Sequence, residues 1–481
     1  MNTRNLKSLC SQYLPLLLLC IWVGFYFSYL GWKPGFAYNA QRYFEIVFLG
    51  CLLCAGLVLP LRFRMERFWR VSCRLLLFIM LSVILQADIH WLAVREGLQY
   101  LALFAAILVV AKTRAHAGAA DFDRAAYLGL VLFSFGCSLI VVEGLLLSLS
   151  IGMVDHRVIF GAFVNLRIFA ELQFLTLFFL PAAALQMDSA GWRRFAGLTA
   201  IFGWGLLLFS GTRSALVAMP FALLMVWLAV GSRALPWFRL LAGQFVGGVL
   251  FLLILRGGIA ATLGTSAQTG GTMSLARASS GGRLELWADA SQYFVQHPWF
   301  GNGPGAFACL TDRLEATPHN LFLQLLSEWG VLMTLLCLVL ALIMFIGLVR
   351  RLRAGGHNTA LHLALFATLV TTVAASMMEG MVIAPLQQML IVLVFGWALH
   401  AFAGEKFVCE TGTAFSRYQV KYGVVLAVFL SVTLWGVKAD LILQRQLLVS
   451  PGGVINLSYG PRFWADGHDH CPSWHERYEN R

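Results

Sequence analysis

Apolar runs of membrane-spanning length follow one another along almost the whole chain, separated by polar turns. Crossing a bilayer takes about 20 apolar residues in a helix, and a single helix satisfies its own backbone hydrogen bonds in lipid. The pattern therefore predicts an all-α polytopic membrane protein with about 12–13 transmembrane helices. The predicted spans are 9–30, 44–60, 74–87, 97–111, 126–150, 168–187, 196–210, 214–230, 239–256, 320–349, 360–376, 383–403 and 422–437.

Composition supports this class and excludes a water-soluble globule. Hydrophobic residues make up 59% of the 481 residues, charged residues 12%, and the mean hydropathy is +0.76. We expect an N-terminal transmembrane bundle at 1–256, a polar loop at 257–318, a C-terminal bundle at 319–437 and a tail at 438–481.

Lysine and arginine lie in alternate turns of the predicted bundle, which indicates its orientation. Basic residues in short loops stay on the cytoplasmic side, so the N-terminus is predicted in the cytoplasm and the long loop and the tail on the outer side of the membrane. The net charge of +12 then reflects topology and attraction to anionic membrane lipids, and it does not indicate nucleic-acid binding.

The long loop contains one predicted amphipathic helix over residues 282–296. An apolar side recurs at helical spacing, namely Leu284, Trp287, Ala290 or Ser291, and Phe294, and Pro298 follows the end. Such a helix is expected to lie on the membrane surface with its apolar side down. The glycine-rich run at 301–305 predicts a tight turn and not a dinucleotide fingerprint, because no strand precedes it.

Polar side chains on the outer side of the predicted bundle suggest two kinds of chemistry. Arg167 and Arg213, at the ends of predicted spans, are either interface anchors or ligands of a phosphate, which the planar guanidinium binds bidentately. Arg283, in the first turn of the loop helix, is a further candidate phosphate ligand. His319 is either part of a helix cap or a proton acceptor. Asn320 is expected to cap the following helix.

Cysteines and histidines give little evidence for a metal. Cys51 and Cys54 form a CxxC inside a predicted span, where packing explains them. Cys309 and Cys471 both lie in segments predicted on the outer side, where they either pair or stay free. The tail residues 468–475 include zinc-type ligands, but their spacing matches no closed zinc site. No metal or other cofactor is expected.

Four segments in a fixed order resemble the O-antigen ligase and polymerase superfamily of bacterial envelope glycosyltransferases. They are SGTRSALVA at 210–218, RLELW at 283–287, PWFGNGPGAF at 298–307 and PHNLFLQLLSEWG at 318–330. Each motif alone is weak, whereas their order around a long loop is fairly specific. The resemblance extends over about 209–331.

The resemblance implies metal-independent, inverting transfer of a glycan from undecaprenyl diphosphate to an acceptor hydroxyl at the periplasmic face of the inner membrane. His319 matches the family's essential histidine, Arg213 its pyrophosphate-binding arginine and Arg283 its loop arginine. Arg167 is a further candidate cation, and Glu379 and Asn320 are candidates for supporting these side chains. The acceptor would be lipid A core in a ligase.

Alternatives stay open. In a polymerase of the same superfamily, the acceptor would be a growing O-antigen or exopolysaccharide chain. A polysaccharide transporter or flippase would carry its ionisable residues near the membrane midplane, on interrupted helices, whereas the distinctive charges here lie at helix ends. In a scaffolding protein these charges would be incidental.

Overall fold

The computed structural model describes residues 37–58, 61–63, 67–263, 282–311, 313, 315–355, 359–403 and 407–409. Most of them are helical. The helices are α1 Ala37–Val58, α2 Arg67–Gln86, α3 His90–Ala117, α4 Ala119–Ser150, α5 His156–Ile159, α6 Leu166–Thr176, α7 Phe179–Gln186, α8 Ala190–Ser210, α9 Arg213–Val230, α10 Leu235–Leu263, α11 Arg283–Gln296, α12 Ala306–Leu310, α13 Leu321–Ala354, α14 Thr359–Ser376 and α15 Pro385–Ala403. Short 3₁₀ turns cover Gly161–Phe163 and Gly231–Ala234.

The predicted all-α polytopic membrane fold is confirmed. Within the described ranges, eight segments are long and apolar enough to cross a membrane, and one of them, Arg213–Thr262, contains both α9 and α10. The predicted spans at 9–30 and 422–437 and the tail at 438–481 lie outside the described residues. Strands β1 Leu61–Phe63 and β2 Phe407–Cys409 form a short antiparallel pair after α1 and α15.

Several helices are longer than the apolar runs that predict them. α2 begins at Arg67, although the prediction began at 74, and α10 continues to Leu263, beyond the predicted end at 256. Hydropathy detects the lipid-facing centre of a span, whereas the helix continues through polar turns at the interface. The predicted span 168–187 consists of α6 and α7.

The bundle has two ends, and the candidate site lies at one of them. α9 packs against α14, and Val230 at the end of α9 lines the same cavity as Thr359 at the start of α14. The first residue of α9, Arg213, therefore lies at the opposite end, where α14 finishes at Ser376. We call this the site end, and the 377–384 turn connects α14 to α15 there.

Candidate active site

Four segments that are distant in sequence meet at the site end. They are the start of α6 with Arg167, the start of α11 with Arg283, the loop before α13 with His319, and the 377–384 turn with Glu379. The structure therefore brings together four of the residues that the sequence suggested.

One carboxylate joins the two arginines. Arg283 Nη2 donates a hydrogen bond to Glu379 Oε1 at 2.8 Å, and Arg167 Nη1 lies 3.8 Å from Glu379 Oε2. The exposed fraction of the side chain is 4% for Glu379, 26% for Arg283 and 51% for Arg167. Because each guanidinium carries five N–H donors, both arginines retain donors for a second anion.

The start of α6 places Arg167 at a helix N-terminus. Asn165 has extended backbone, and its Oδ1 accepts hydrogen bonds from Arg167 N at 2.9 Å and Ile168 N at 3.0 Å. The cap fixes where the helix begins. Since the N-terminal end of a helix carries a positive partial charge, it adds to the attraction that Arg167 exerts on an anion.

Local backbone geometry aims the His319 ring at the 377–384 turn. His319 has φ +50°, which is uncommon for a residue other than glycine. Thr317 Oγ1 lies 3.5 Å from His319 Nδ1 and accepts a hydrogen bond from His319 N at 3.4 Å. A Cβ built on Gly380 would be 3.6 Å from His319 Nδ1, so the ring lies beside the turn. Asn320 is the N-cap of α13, as predicted, and accepts from Leu323 N at 3.1 Å.

The surroundings of His319 keep its imidazole uncharged. Burial first, and then the positive charges of Arg167 and Arg283, lower its pKa from 6.5 to about 4. The ring is therefore neutral at physiological pH, and a neutral imidazole nitrogen can accept a proton. The combination suits the binding of an anionic group next to a proton acceptor.

Helix α11 is confirmed at Arg283–Gln296, and its buried face overlaps the predicted apolar side only in part. Leu286 and Ala290 are buried with Phe307, whereas Leu284 is 64% exposed. The period of apolar residues cannot distinguish a face that packs on protein from one that faces lipid, which explains the difference. Trp287 Nε1 also donates to Pro318 O at 3.1 Å, and this bond ties α11 to the loop before His319.

The glycine-rich turn at 301–305 packs on a kink in α13, where Gly330 has non-helical φ/ψ of 72° and 178°. Gly301 has φ +68°. A Cβ on Gly301 would lie 2.4 Å from the carbonyl carbon of Glu328, and one on Gly330 would lie 2.4 Å from Trp299 O. The predicted tight turn thus needs glycine on both sides of the contact.

Hydrogen bonds replace the helical ones that the kink removes. Asn302 N donates to Ser327 O at 3.0 Å, Gly303 N donates to Glu328 O at 3.0 Å, and Val331 N donates to Pro298 O at 2.8 Å. The PWFGNGPGAF and SEWG motifs therefore form one folded unit that supports α11 and the start of α13.

Arg213 lies at the same end of the bundle but is not one of the arginines paired with Glu379. It is exposed as the first residue of α9 and follows the left-handed Gly211, which ends α8. The SGTRS motif thus forms a turn at the site end, which presents Arg213 at the surface.

The motifs do not predict two further polar residues beside the site, Gln387 and Gln388, at the start of α15. They are 0% and 4% exposed and hydrogen-bond to the start of α6 and to the 377–384 turn. The available signal is a pair of adjacent glutamines inside an otherwise apolar span.

The structure describes only some of the residues that the sequence offered as metal ligands or paired cysteines. Within the described ranges, no group of three or more His, Cys, Asp or Glu residues could hold a metal ion. The candidate zinc ligands at 468–475 lie outside those ranges. Cys309 is disulfide-bonded, so of the two alternatives that the sequence left open for it, the free thiol does not hold. Cys471 lies outside the described residues.

Comparisons with known proteins agree with the motifs. Residues 198–338 match a family model described as O-antigen ligase. An O-antigen ligase of Pseudomonas aeruginosa is 31% identical over 138 residues, which cover 27% of this chain and 29% of that protein. No solved structure matches.

The matched region contains Arg213, Arg283 and His319, whereas Arg167 and Glu379 lie outside it. The resemblance to the O-antigen ligase superfamily that the motifs predict is supported by both matches. Over residues 198–338, this membrane protein is similar to the O-antigen ligase family.

Proposed function

We propose that this protein transfers a glycan from undecaprenyl diphosphate to an acceptor hydroxyl on lipid A core, at the periplasmic face of the inner membrane. The observation that carries the proposal is the arrangement of one neutral imidazole beside two arginines that share a buried carboxylate. The match of residues 198–338 to O-antigen ligases supports glycosyl transfer of the ligase or polymerase type.

The arginines account for donor recognition. When the bond between the anomeric carbon and the diphosphate breaks, negative charge develops on the diphosphate oxygens. Arg167 and Arg283 stabilise that charge, since a guanidinium binds phosphate oxygens with two parallel hydrogen bonds. Arg213, exposed at the same end of the bundle, adds a third cation for a group with two phosphates.

His319 accounts for activation of the acceptor. Its neutral imidazole accepts the proton of the acceptor hydroxyl while the hydroxyl oxygen bonds to the anomeric carbon and the carbon–diphosphate bond breaks. One displacement inverts the configuration at that carbon. The leaving diphosphate keeps the electron pair of the broken bond.

Donor binding also makes His319 a stronger base. Two of the causes that lower its pKa are the charges of Arg167 and Arg283. A bound diphosphate offsets those charges and moves the pKa of His319 upward, closer to neutrality. Proton acceptance is therefore favoured when the donor is in place and disfavoured when the site is empty.

The test uses bacteria that lack the chromosomal copy and express plasmid variants. We expect His319→Ala to be inserted in the membrane at the wild-type level but to leave glycan on undecaprenyl diphosphate and bare lipid A core. His297→Ala is the matched control, because His297 is exposed at the end of α11. The readouts are lipopolysaccharide profiles and mass spectrometry of lipid-linked glycans.

Outcomes separate the candidate functions. Acceptor that carries a single repeat unit in the His319→Ala strain would indicate a polymerase. A wild-type glycan profile in that strain, with the variant protein present in the membrane, would refute the proposed role of His319. An unchanged envelope in the deletion strain would exclude both transferase functions.

A further inference from the structure

A buried hydrogen-bond network beneath the site connects the elements that carry Arg167 and Glu379. Its central members are Gln387 and Gln388, which follow Pro385 at the start of α15. Neither the proton transfer nor the phosphate contacts proposed above use them. A buried polar side chain in a membrane span is costly unless it is hydrogen-bonded, so the specific partners of this pair are informative.

Gln387 holds the start of α6. Its Nε2 donates to Ile168 O at 3.1 Å and to Glu171 Oε2 at 2.8 Å. Ile168 is the residue after Arg167, and Glu171 lies one helical turn further along the same helix. The Gln387 side chain therefore fixes the first turn of α6, and with it the backbone from which Arg167 extends.

Gln388 holds the 377–384 turn, because its Nε2 donates to Val382 O at 2.8 Å. Its Oε1 accepts from Arg42 Nη1 at 2.6 Å, and Arg42 Nη2 donates to Ile383 O at 2.8 Å. Two consecutive carbonyls of the turn are thus bonded to side chains of α1 and α15. This turn also carries Glu379.

Arg42 is itself held in place. It is 1% exposed, and it forms an ion pair with Glu45, which is 0% exposed. Gln99 Nε2 of α3 donates to Glu45 Oε1 at 2.7 Å. The network therefore extends from α3 through α1 to the turn, and every member is buried within the bundle.

We propose that Gln387, Gln388 and Arg42 are positioning residues of the candidate active site. Adjacent residues on a helix point about 100° apart, so one glutamine reaches α6 and the next reaches the turn. Together they set how far Arg167 lies from Glu379, and therefore how the two arginines are spaced for a diphosphate. This inference rests on the proposed function for its catalytic meaning, but its geometric content is independent of activity.

Two readouts test the proposal on the full-length protein in lipid nanodiscs. Gln387→Leu and Gln388→Leu each remove the donor in a side chain of similar size that suits an apolar span. Gln244→Leu is the matched control, because Gln244 is a 3% exposed glutamine of α10 whose side-chain atoms have no hydrogen-bond partner among the described residues.

Hydrogen exchange measured by mass spectrometry gives the geometric readout. We expect Gln388→Leu to speed amide exchange in the 377–384 turn, where Glu379 N and Ile383 N are hydrogen-bonded. Gln387→Leu should instead act on the first turn of α6. The control should alter neither segment. A purely global loss of stability would speed exchange in both segments in both variants, and this result would overturn the proposal.

Glycan transfer gives the functional readout. A displacement of about 1 Å in a catalytic group lowers rates by roughly 100-fold, so we expect a 10- to 100-fold loss of kcat/KM in each variant, measured on protein that is still folded in the nanodisc. Transfer equal to that of Gln244→Leu would overturn the positioning role even if exchange changes. If the wild-type protein transfers no glycan, the proposed function fails. The exchange pattern then still decides whether the network holds α6 and the turn.

Discussion

His319 should remain an uncharged, reactive imidazole at a pH where an ordinary histidine is mostly protonated. Burial and the charges of Arg167 and Arg283 lower its pKa from 6.5 to about 4. At pH 5.5, an imidazole with pKa 6.5 is roughly 9% neutral, and one with pKa 4 is about 97% neutral. The neutral fraction should therefore differ by about tenfold between folded and unfolded protein at this pH.

Diethyl pyrocarbonate measures this difference, because it modifies the neutral imidazole. The rate of modification of the peptide that contains His319 is followed by mass spectrometry from pH 4 to pH 8, first in folded and then in denatured protein. Normalising each profile to its own rate at pH 7.5 removes the effect of restricted access. Between pH 7.5 and pH 5.5 the folded rate should change little, whereas the denatured rate should fall by about tenfold.

Substitution of the nearby cation tests the electrostatic part of the reasoning. Arg283→Gln removes one of the positive charges and should shift the folded profile to higher pH. Arg313→Gln is the control, since Arg313 pairs with Glu285 and Asp289 and does not contribute to the pKa of His319. A folded profile with its midpoint near pH 6.5 would refute the argument, and so would identical shifts in the two variants.

Four substitutions have expected effects on stability or on activity. Arg283→Gln should lower the free energy of unfolding by about 1–3 kcal/mol, because Arg283 donates a 2.8 Å hydrogen bond to the buried Glu379. Arg167→Gln should lower it by less than about 1 kcal/mol, because Arg167 is half exposed and its guanidinium lies 3.8 Å from the Glu379 carboxylate. Gly330→Ala should lower it by at least about 2 kcal/mol, since its φ is 72° and a Cβ would meet Trp299 O. Arg213→Lys should slow glycan transfer by at least about tenfold, because lysine keeps the charge but loses the bidentate fork.

The controls for these substitutions come from the same chain. A Cβ on Gly258 in α10 would meet no atom of the described residues within 4 Å, so Gly258→Ala should be neutral or slightly stabilising. An equal loss of stability in Gly330→Ala and Gly258→Ala would contradict the steric argument. Equal stability losses for Arg167→Gln and Arg283→Gln would show that burial and distance do not rank the two ion pairs. Full activity of Arg213→Lys would show that a point charge is sufficient.

The sequence was sufficient for the class of fold and for much of the site. Runs of apolar residues predict helices because the bilayer imposes both their length and their internal hydrogen bonding. His319 and Arg283 could be identified because each lies in a short local motif. The cap at Asn320 could be predicted for the same reason, since a capping side chain acts on the residues that immediately follow it.

The sequence could not predict the contacts that depend on which helices pack together. Gln387 and Ile168 are 219 positions apart, and no local pattern relates α15 to α6. In a hydropathy profile, an adjacent pair of glutamines only slightly lowers the apolar character of a span. Their buried hydrogen bonds nevertheless connect two segments of the candidate site. The sequence also does not show which side of α11 faces the membrane and which side packs on protein, because both environments select apolar side chains.

The charges around His319 explain why a carboxylate is required between the two arginines. With His319 neutral, two guanidinium groups and one carboxylate leave a single net positive charge around the ring. Without the carboxylate, two arginines would repel each other in a partly buried position. With it, they are held at a fixed spacing while one positive charge remains to attract an anion. In the proposed function, the donor diphosphate carries more negative charge than this remainder. Its binding should therefore change the sign of the local field, and we expect that change to help His319 take the proton of the acceptor hydroxyl.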